Sequence, residues 1–157
     1  NFMTILLDSI NDANELVLTT KAIGYKENVH IKFDEDSDYV ELEAKLDTGN
    51  GASASTIGVD KLEESGDSII AILNSKKYEF KKHGKSNAIV GPVKEERITV
   101  ILPELKIGTR KLKNVEFALV DNRNKSTKVL LNRDVLSKLG YVINPAEKHT
   151  LDKNNII

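Results

Sequence analysis

The stretch "LDTGNGASAS", Leu46 to Ser55, decides how this chain is read. It sets one carboxylate, Asp47, between an apolar run and a turn rich in glycine and hydroxyl groups. Immediately upstream, "DYVELEAKLD" alternates Val40, Leu42, Ala44 and Leu46 with Glu41, Glu43 and Lys45. A period of two marks a strand with one buried and one wet face. Such a strand delivers Asp47 to the edge of the core and then stops. Thr48, Gly49, Asn50 and Gly51 follow, a run that favours tight or left-handed backbone.

Moving outward, the same strand-like patterning recurs. "NVHIKF" alternates Val29, Ile31 and Phe33, "DSIIAIL" is a short apolar run, and "KKYEFKK" alternates around Tyr78 and Phe80. "RITVIL" and "KNVEFALV" continue the theme, punctuated by Pro103 and Gly108. Two helices are expected. One is N-terminal, with Phe2, Ile5, Leu6 and Ile10 on a face; the other is "NRDVLSKLG". In the second, Asn132 caps the start, Val135, Leu136 and Leu139 form the buried face, and Gly140 ends it. The prediction is a mainly β domain with a late short helix.

The 157 residues suit one domain with a real core. A formal net charge of -1 advertises no phosphate backbone as partner, and 5% aromatics offers no base-stacking surface. Nucleic acid is therefore not expected. The absence of cysteine excludes disulfides, thiolate zinc sites and cysteine nucleophiles. No apolar run approaches a membrane span, and "NFMTILLDSIND" is too short and too acidic for a secretory signal. Neither a membrane nor a secretory address is expected, which leaves a cytoplasmic or virion-associated location.

Other motifs carry less. "DEDSD", Asp34 to Asp38, begins like a calcium loop, but Tyr39 stands where the turn glycine belongs and Lys45 where the bidentate Glu belongs. A solvated turn is the better reading. His30, His83 and His149 are scattered without HExxH spacing, so no zinc site is expected. "NKS" at Asn124 to Ser126 matches a glycosylation acceptor only formally, and no glycine-rich loop has P-loop spacing.

Asp47 remains. Asp-Thr-Gly alone is a common turn tripeptide. Its catalytic reading rests on paired carboxylates: a water nucleophile needs a base, a scissile carbonyl needs an acid, and two carboxylates sharing a proton supply both. One chain offers one such motif, so the second must come from another copy across a two-fold axis.

Residues 129 to 145, "VLLNRDVLSKLGYVINP", resemble the closing segment of retropepsins, the retroviral-type aspartic proteases. There two apolar residues and usually a Gly precede Arg, Asn or Asp, an apolar pair, and a short helix ending in Gly. The ordered set "IGYKENVHI", "AKLDTGNGASAS", "ERITVILPELKIG", "FALVDNRNKSTKVLLNRDVL" and "VINPAEKHTL" resembles more closely a bacterial, archaeal and viral retropepsin-like family. That family carries the label of an ATP-dependent zinc protease, and its strands follow a "G-x-x-E-x-V" and "AK-apolar-DTGA-x-x-S" pattern. The resemblance covers about residues 22 to 151. It leaves 1–21 as an N-terminal extension and 152–157 as a tail. The sequence holds neither zinc ligands nor a phosphate loop to match the label.

The resemblance implies a retropepsin-like closed β-barrel acting as an aspartic endopeptidase on polypeptide substrates. It implies a homodimer with Asp47 of each subunit in the dyad, and no metal or other cofactor. Thr48 and Gly49 would hold the loops, Asn50 and Gly51 would line the channel, and Asn132, Arg133 and Asp134 would support them from behind. A flap is expected near Tyr78 to Val93, around "HGKSNAIVGP". Three departures stand out. Asn50 replaces the usual Ala or Ser, Asn132 replaces Gly, and Gly51 stands where viral enzymes often carry the acid that pairs with the Arg. The competing reading is a non-catalytic module of the same fold, retained for binding or for assembly into a larger complex such as a virion.

Overall fold

The computed structural model describes residues 22–122 and 126–153; the helix expected on Phe2, Ile5, Leu6 and Ile10 lies outside them. The chain is mainly β. Its elements are β1 (Ala22–Lys32), β2 (Val40–Leu46), β3 (Ser55–Val59), β4 (Lys61–Ser65), β5 (Ser68–Leu73), β6 (Lys76–Lys81), β7 (Gly84–Val90), β8 (Val93–Ile107), β9 (Arg110–Asp121), β10 (Val129–Leu131), α1 (Arg133–Leu139), β11 (Val142–Lys148) and α2 (Thr150–Lys153).

One eight-stranded sheet runs β11-β1-β2-β10-β3-β9-β8-β7. An additional pairing of β1 with β8, Ile31 opposite Leu105, joins the sheet back on itself as a ring. Inside lie Val29, Ile31, Ala44, Leu46, Ile57, Leu102, Leu105, Phe117 and Leu131, all buried. Each large apolar side chain withdrawn from water contributes about 1.5–3 kcal/mol before entropy is charged against it. The expected alternation in β2 is observed: Leu42, Ala44 and Leu46 are buried, while Glu41 and Lys45 are exposed.

A second sheet, β4-β5-β6, covers one flank. Ile69, Ala71 and Leu73 are its buried row, and Tyr78 and Phe80 pack edge-on against Phe33 at centroid distances of 4.7 and 6.2 Å. Tyr78 and Phe80 thus belong to this sheet and not to the flap expected to begin at Tyr78. The projecting hairpin is β7 with the first half of β8, where Val93 to Ile98 pair with β7 alone. Gly91 at φ 60 followed by Pro92 gives that hairpin the backbone of a type II′ turn.

Pro103 does not end a strand; β8 runs through it. Pairing of β8 with β9 skips this residue, between Leu102–Val115 and Glu104–Lys113, and Asn114 opposite turns away at φ 54. Pairing with β1 begins only at Glu104. Neither neighbour therefore asks Pro103 for the N–H it lacks.

The sequence reading gave no role to Glu27, the Glu of the "G-x-x-E-x-V" match and a fully buried carboxylate on the same strand phase as Val29 and Ile31. It accepts from the N–H groups of Gly24 (2.6 Å), Thr150 (3.0 Å) and Leu151 (3.2 Å), tying the start of α2 to β1. Gly24 is required here: a Cβ on it would lie 2.5 Å from the Glu147 carbonyl oxygen of β11. The helix α2, with Leu151 fully buried, runs across the expected boundary at residue 151.

Glu104, nearly buried, accepts from the Tyr39 hydroxyl at 2.5 Å and faces Lys111 at 3.5 Å and Lys32 at 4.0 Å. The Tyr39 hydrogen bond, aided by the lysines and opposed by burial, holds its carboxyl below the ordinary value of 4.5. The folded carboxyl is thus the stronger acid. Its stabilisation is complete above the ordinary carboxyl range and is lost as pH falls through the lowered folded value. Tyr39→Phe removes the main cause. The expected gap in melting temperature between wild type and this variant is widest near neutral pH and closes well below pH 4.5; a gap that does not change with pH would refute the account.

Candidate active site

Pairing of β2 with β10, Leu46 opposite Leu131, continues for one bond beyond the strand: the Asp47 N–H donates to the Leu131 carbonyl at 3.0 Å. The chain then turns, with Asn50 N–H donating to the Asp47 carbonyl at 3.1 Å. Asp47 is half-buried, and its carboxylate makes no hydrogen bond or ion pair among the described residues. An aspartate serving a turn would usually accept from backbone two residues on; Asn50 takes that part, accepting from Ala52 N–H through Oδ1 at 3.0 Å.

The turn does not use left-handed backbone: none of Thr48 to Gly51 has positive φ. Nor does the Thr48 hydroxyl brace it, being exposed and without a hydrogen bond among the described residues. At Gly49 a Cβ would meet only Asp47 Oδ1 among the described residues, at an ordinary 3.7 Å, so none of them demands glycine there. Gly51 is crowded instead by Arg133, whose Nη2 lies 2.7 Å from where its Cβ would be.

The bracing comes from Asn132, which is 1% exposed. Its Oδ1 accepts from Val135 N–H and from the Ser55 hydroxyl, both at 3.1 Å, and its Nδ2 donates to the Ala52 carbonyl at 2.8 Å. Its own N–H donates to Ser55 Oγ at 2.9 Å. One side chain thus caps α1 and fixes both ends of the segment after the Asp-Thr-Gly turn. Asn132 has φ -82 and ψ 170, so the tolerance of Asn for left-handed backbone plays no part; the amide does. Arg133 contributes its backbone N–H, bonded to the Asn50 carbonyl at 2.9 Å. Asp134 does not touch the turn; it is exposed and pairs with Lys138 at 3.0 Å along the helix.

Asp47 and Asn50 line a cleft of about 520 Å³ whose walls are β3, β10 and the β7–β8 hairpin. Ser86, Asn87, Ala88 and Ile89 of β7 face it, and Ile89 is 83% exposed. Thr56, Gly58, Thr127 and Lys128 form the far wall, and Arg97 enters from β8. Among the described residues Asp47 is the only carboxylate lining the cleft. The hairpin was legible in "HGKSNAIVGP"; the far wall had no sequence signal. A larger, more open groove of about 880 Å³ beside β6 mixes Asp34, Glu35 and Glu79 with four lysines, so neither sign prevails. No group of three or more His, Asp or Glu among the described residues is placed to hold a metal ion. No helix among them is long and apolar enough to cross a membrane.

No protein-family model and no curated protein matches the chain. Among solved structures, a protein of unknown function (DUF785) from Legionella pneumophila subsp. pneumophila str. Philadelphia 1 is similar. It is 24% identical, with a TM-score of 0.60 over 84% of this chain and 98% of its own. A retropepsin-like aspartic protease from Rickettsia conorii aligns more distantly, at 16% identity and a TM-score of 0.39, over 72% of this chain and 80% of its own. The first likeness is one of fold, and the second is too slight to add to it.

Proposed function

We propose that this chain is a retropepsin-like aspartic endopeptidase whose active site is completed by a second copy. One observation carries the reading: the Asp47 carboxylate stands at the end of β2 inside a cleft under a hairpin, engaged by nothing in its own turn. The sequence resemblance supplies the reaction, and the ring of strands joined through β1 and β8 agrees with the closed barrel it implies.

In this reading the ionised Asp47 takes a proton from water as the water oxygen bonds to the peptide carbonyl carbon. The protonated Asp47 of the second copy gives its proton to the carbonyl oxygen. Collapse of the tetrahedral species then breaks the C–N bond, and the amine leaves with a proton returned by the pair. Such a pair titrates as a unit. Activity falls in acid when no base remains and in alkali when no acid remains. The hairpin β7–β8 excludes water from the cleft and holds the substrate backbone.

The exposed Thr48 and the sterically free Gly49 suit a loop that meets its own copy across a two-fold axis. Sedimentation equilibrium is expected to give a dimer at concentrations where the protein cleaves peptides, tightened by a statine-containing peptide. An active protein that remains monomeric throughout would overturn the shared dyad.

A further inference from the structure

We propose that Arg97 makes the Asp47 cleft select peptides carrying an acidic side chain, with Glu95 occupying the guanidinium until such a side chain displaces it. The inference rests on the peptidase reading for what happens after binding, but not for the binding itself.

Among the described residues two cations, Arg97 and Lys128, line the cleft against the single acid Asp47. Lys128 has a partner on its other side, Asp60 at 3.8 Å. Arg97 is held differently. Its strand position is opposite Ser86, which also lines the cleft, and its side chain is only 17% exposed. Nη2 reaches Glu95 Oε2 at 3.3 Å, two residues back on the same strand face, and Glu95 is half exposed. Nε is buried and has no acceptor among the described residues.

A guanidinium offers Nε and Nη2 as a planar fork that matches the two oxygens of a carboxylate. Glu95 takes one prong, and at a distance longer than the 2.7–2.9 Å typical of charge-assisted bonds. The other prong is a buried donor left unpaired, which folded proteins rarely tolerate without cause. If the pair existed only to steady the hairpin, an exposed contact of this kind would contribute little and would give no reason to bury Nε. A substrate carboxylate that replaced Glu95 and took both prongs would satisfy the donor. A glutamine of the same shape, with one acceptor oxygen and no charge, would not. The walls leave room for such a side chain, because Ala52, Gly58 and Ala88 are small.

The test uses the full chain carrying Asp47→Asn, so that binding is read without turnover. Paired octapeptides with a single Glu or a single Gln, scanned through a neutral Ala/Ser/Val background, are titrated by calorimetry. At one or two positions the Glu peptide is expected to bind roughly tenfold more tightly than its Gln twin. Adding Arg97→Gln erases that ratio, and adding Glu95→Gln raises it by about two- to fivefold by freeing the fork. Should Arg97→Gln fail to fold, Arg97→Lys keeps the charge without the fork and is expected to lose most of the ratio. No Glu preference at any position, or one that survives the Arg97 variants, overturns the inference. Wild-type protein assayed on the same peptides separates the two readings: a Glu preference in binding without Asp47-dependent cleavage sinks the peptidase and leaves the acidic subsite. If no peptide binds, both fall.

Discussion

Asp47→Asn is expected to lower kcat/KM for peptide cleavage by at least about 10³-fold, the scale of a lost general acid–base group. The fold should hardly notice. The carboxylate is half-buried and bonds to nothing among the described residues, so its loss is expected to change stability by less than about 1 kcal/mol. The two readouts together distinguish a chemical role from a structural one. The shared dyad adds a quantitative consequence. When equal amounts of wild type and variant are mixed and allowed to exchange, only wild-type pairs carry two carboxylates, so activity should fall to about one quarter rather than one half. A linear dependence on wild-type fraction would show that each chain works alone. Undiminished activity in the pure variant would remove Asp47 from the chemistry. A pure wild type that binds peptides and never cleaves them would favour the non-catalytic module.

Asn132→Ala is expected to produce the largest loss of stability among single polar substitutions near the site. It removes the cap of α1, typically about 1 kcal/mol. It also leaves the buried Ser55 hydroxyl without its acceptor and the part-buried Ala52 carbonyl without its donor, together about 1–3 kcal/mol more. The sum, on the order of 3 kcal/mol, corresponds to a fall in Tm of roughly 10 °C for a chain of this size. Asn132→Asp makes the argument sharper. It keeps an oxygen to accept from Val135 N–H but turns the other oxygen toward the Ala52 carbonyl, where repulsion replaces a 2.8 Å hydrogen bond. Both variants should therefore melt early. If Asn132→Asp matched wild type, the cap alone would account for the residue, and its link to the Asp-Thr-Gly segment would be wrong.

The resemblance that pointed to Asp47 also pointed behind it, to Asn132, Arg133 and Asp134, but it could not rank them. Asn132 makes three hydrogen bonds across 77 to 80 residues of chain and a fourth to its own helix. Arg133 acts through its backbone and by filling the space beside Gly51. Asp134 is a surface partner of Lys138. Their order along the chain is the same as in the motif; their burial, which sets the worth of each polar group, is a property of the fold. Glu27 shows the opposite case. A charged residue in phase with Val29 and Ile31 was a visible anomaly in "IGYKENVHI", yet its partners at Thr150 and Leu151 lie more than 120 residues away.

Local periodicity was enough to establish β2, its burial pattern and the arrival of Asp47 at its end, because side-chain alternation along a strand is fixed by backbone geometry. The cap and stop of α1 were legible for the same reason: Asn132 and Gly140 act on backbone groups within one turn. What only the tertiary structure decided is everything that depends on which strands become neighbours. Pro103 is harmless inside β8 because β9 and β1 each pass it without needing a donor. Tyr78 and Phe80 leave the flap for a second sheet because Phe33 offers them an apolar face. Arg97 comes to share a cleft with Asp47, 50 positions away, because β8 is long enough to serve the ring with one half and the hairpin with the other. Pairing between strands depends on the whole set of competing partners, and that competition is resolved only when the chain closes around its core.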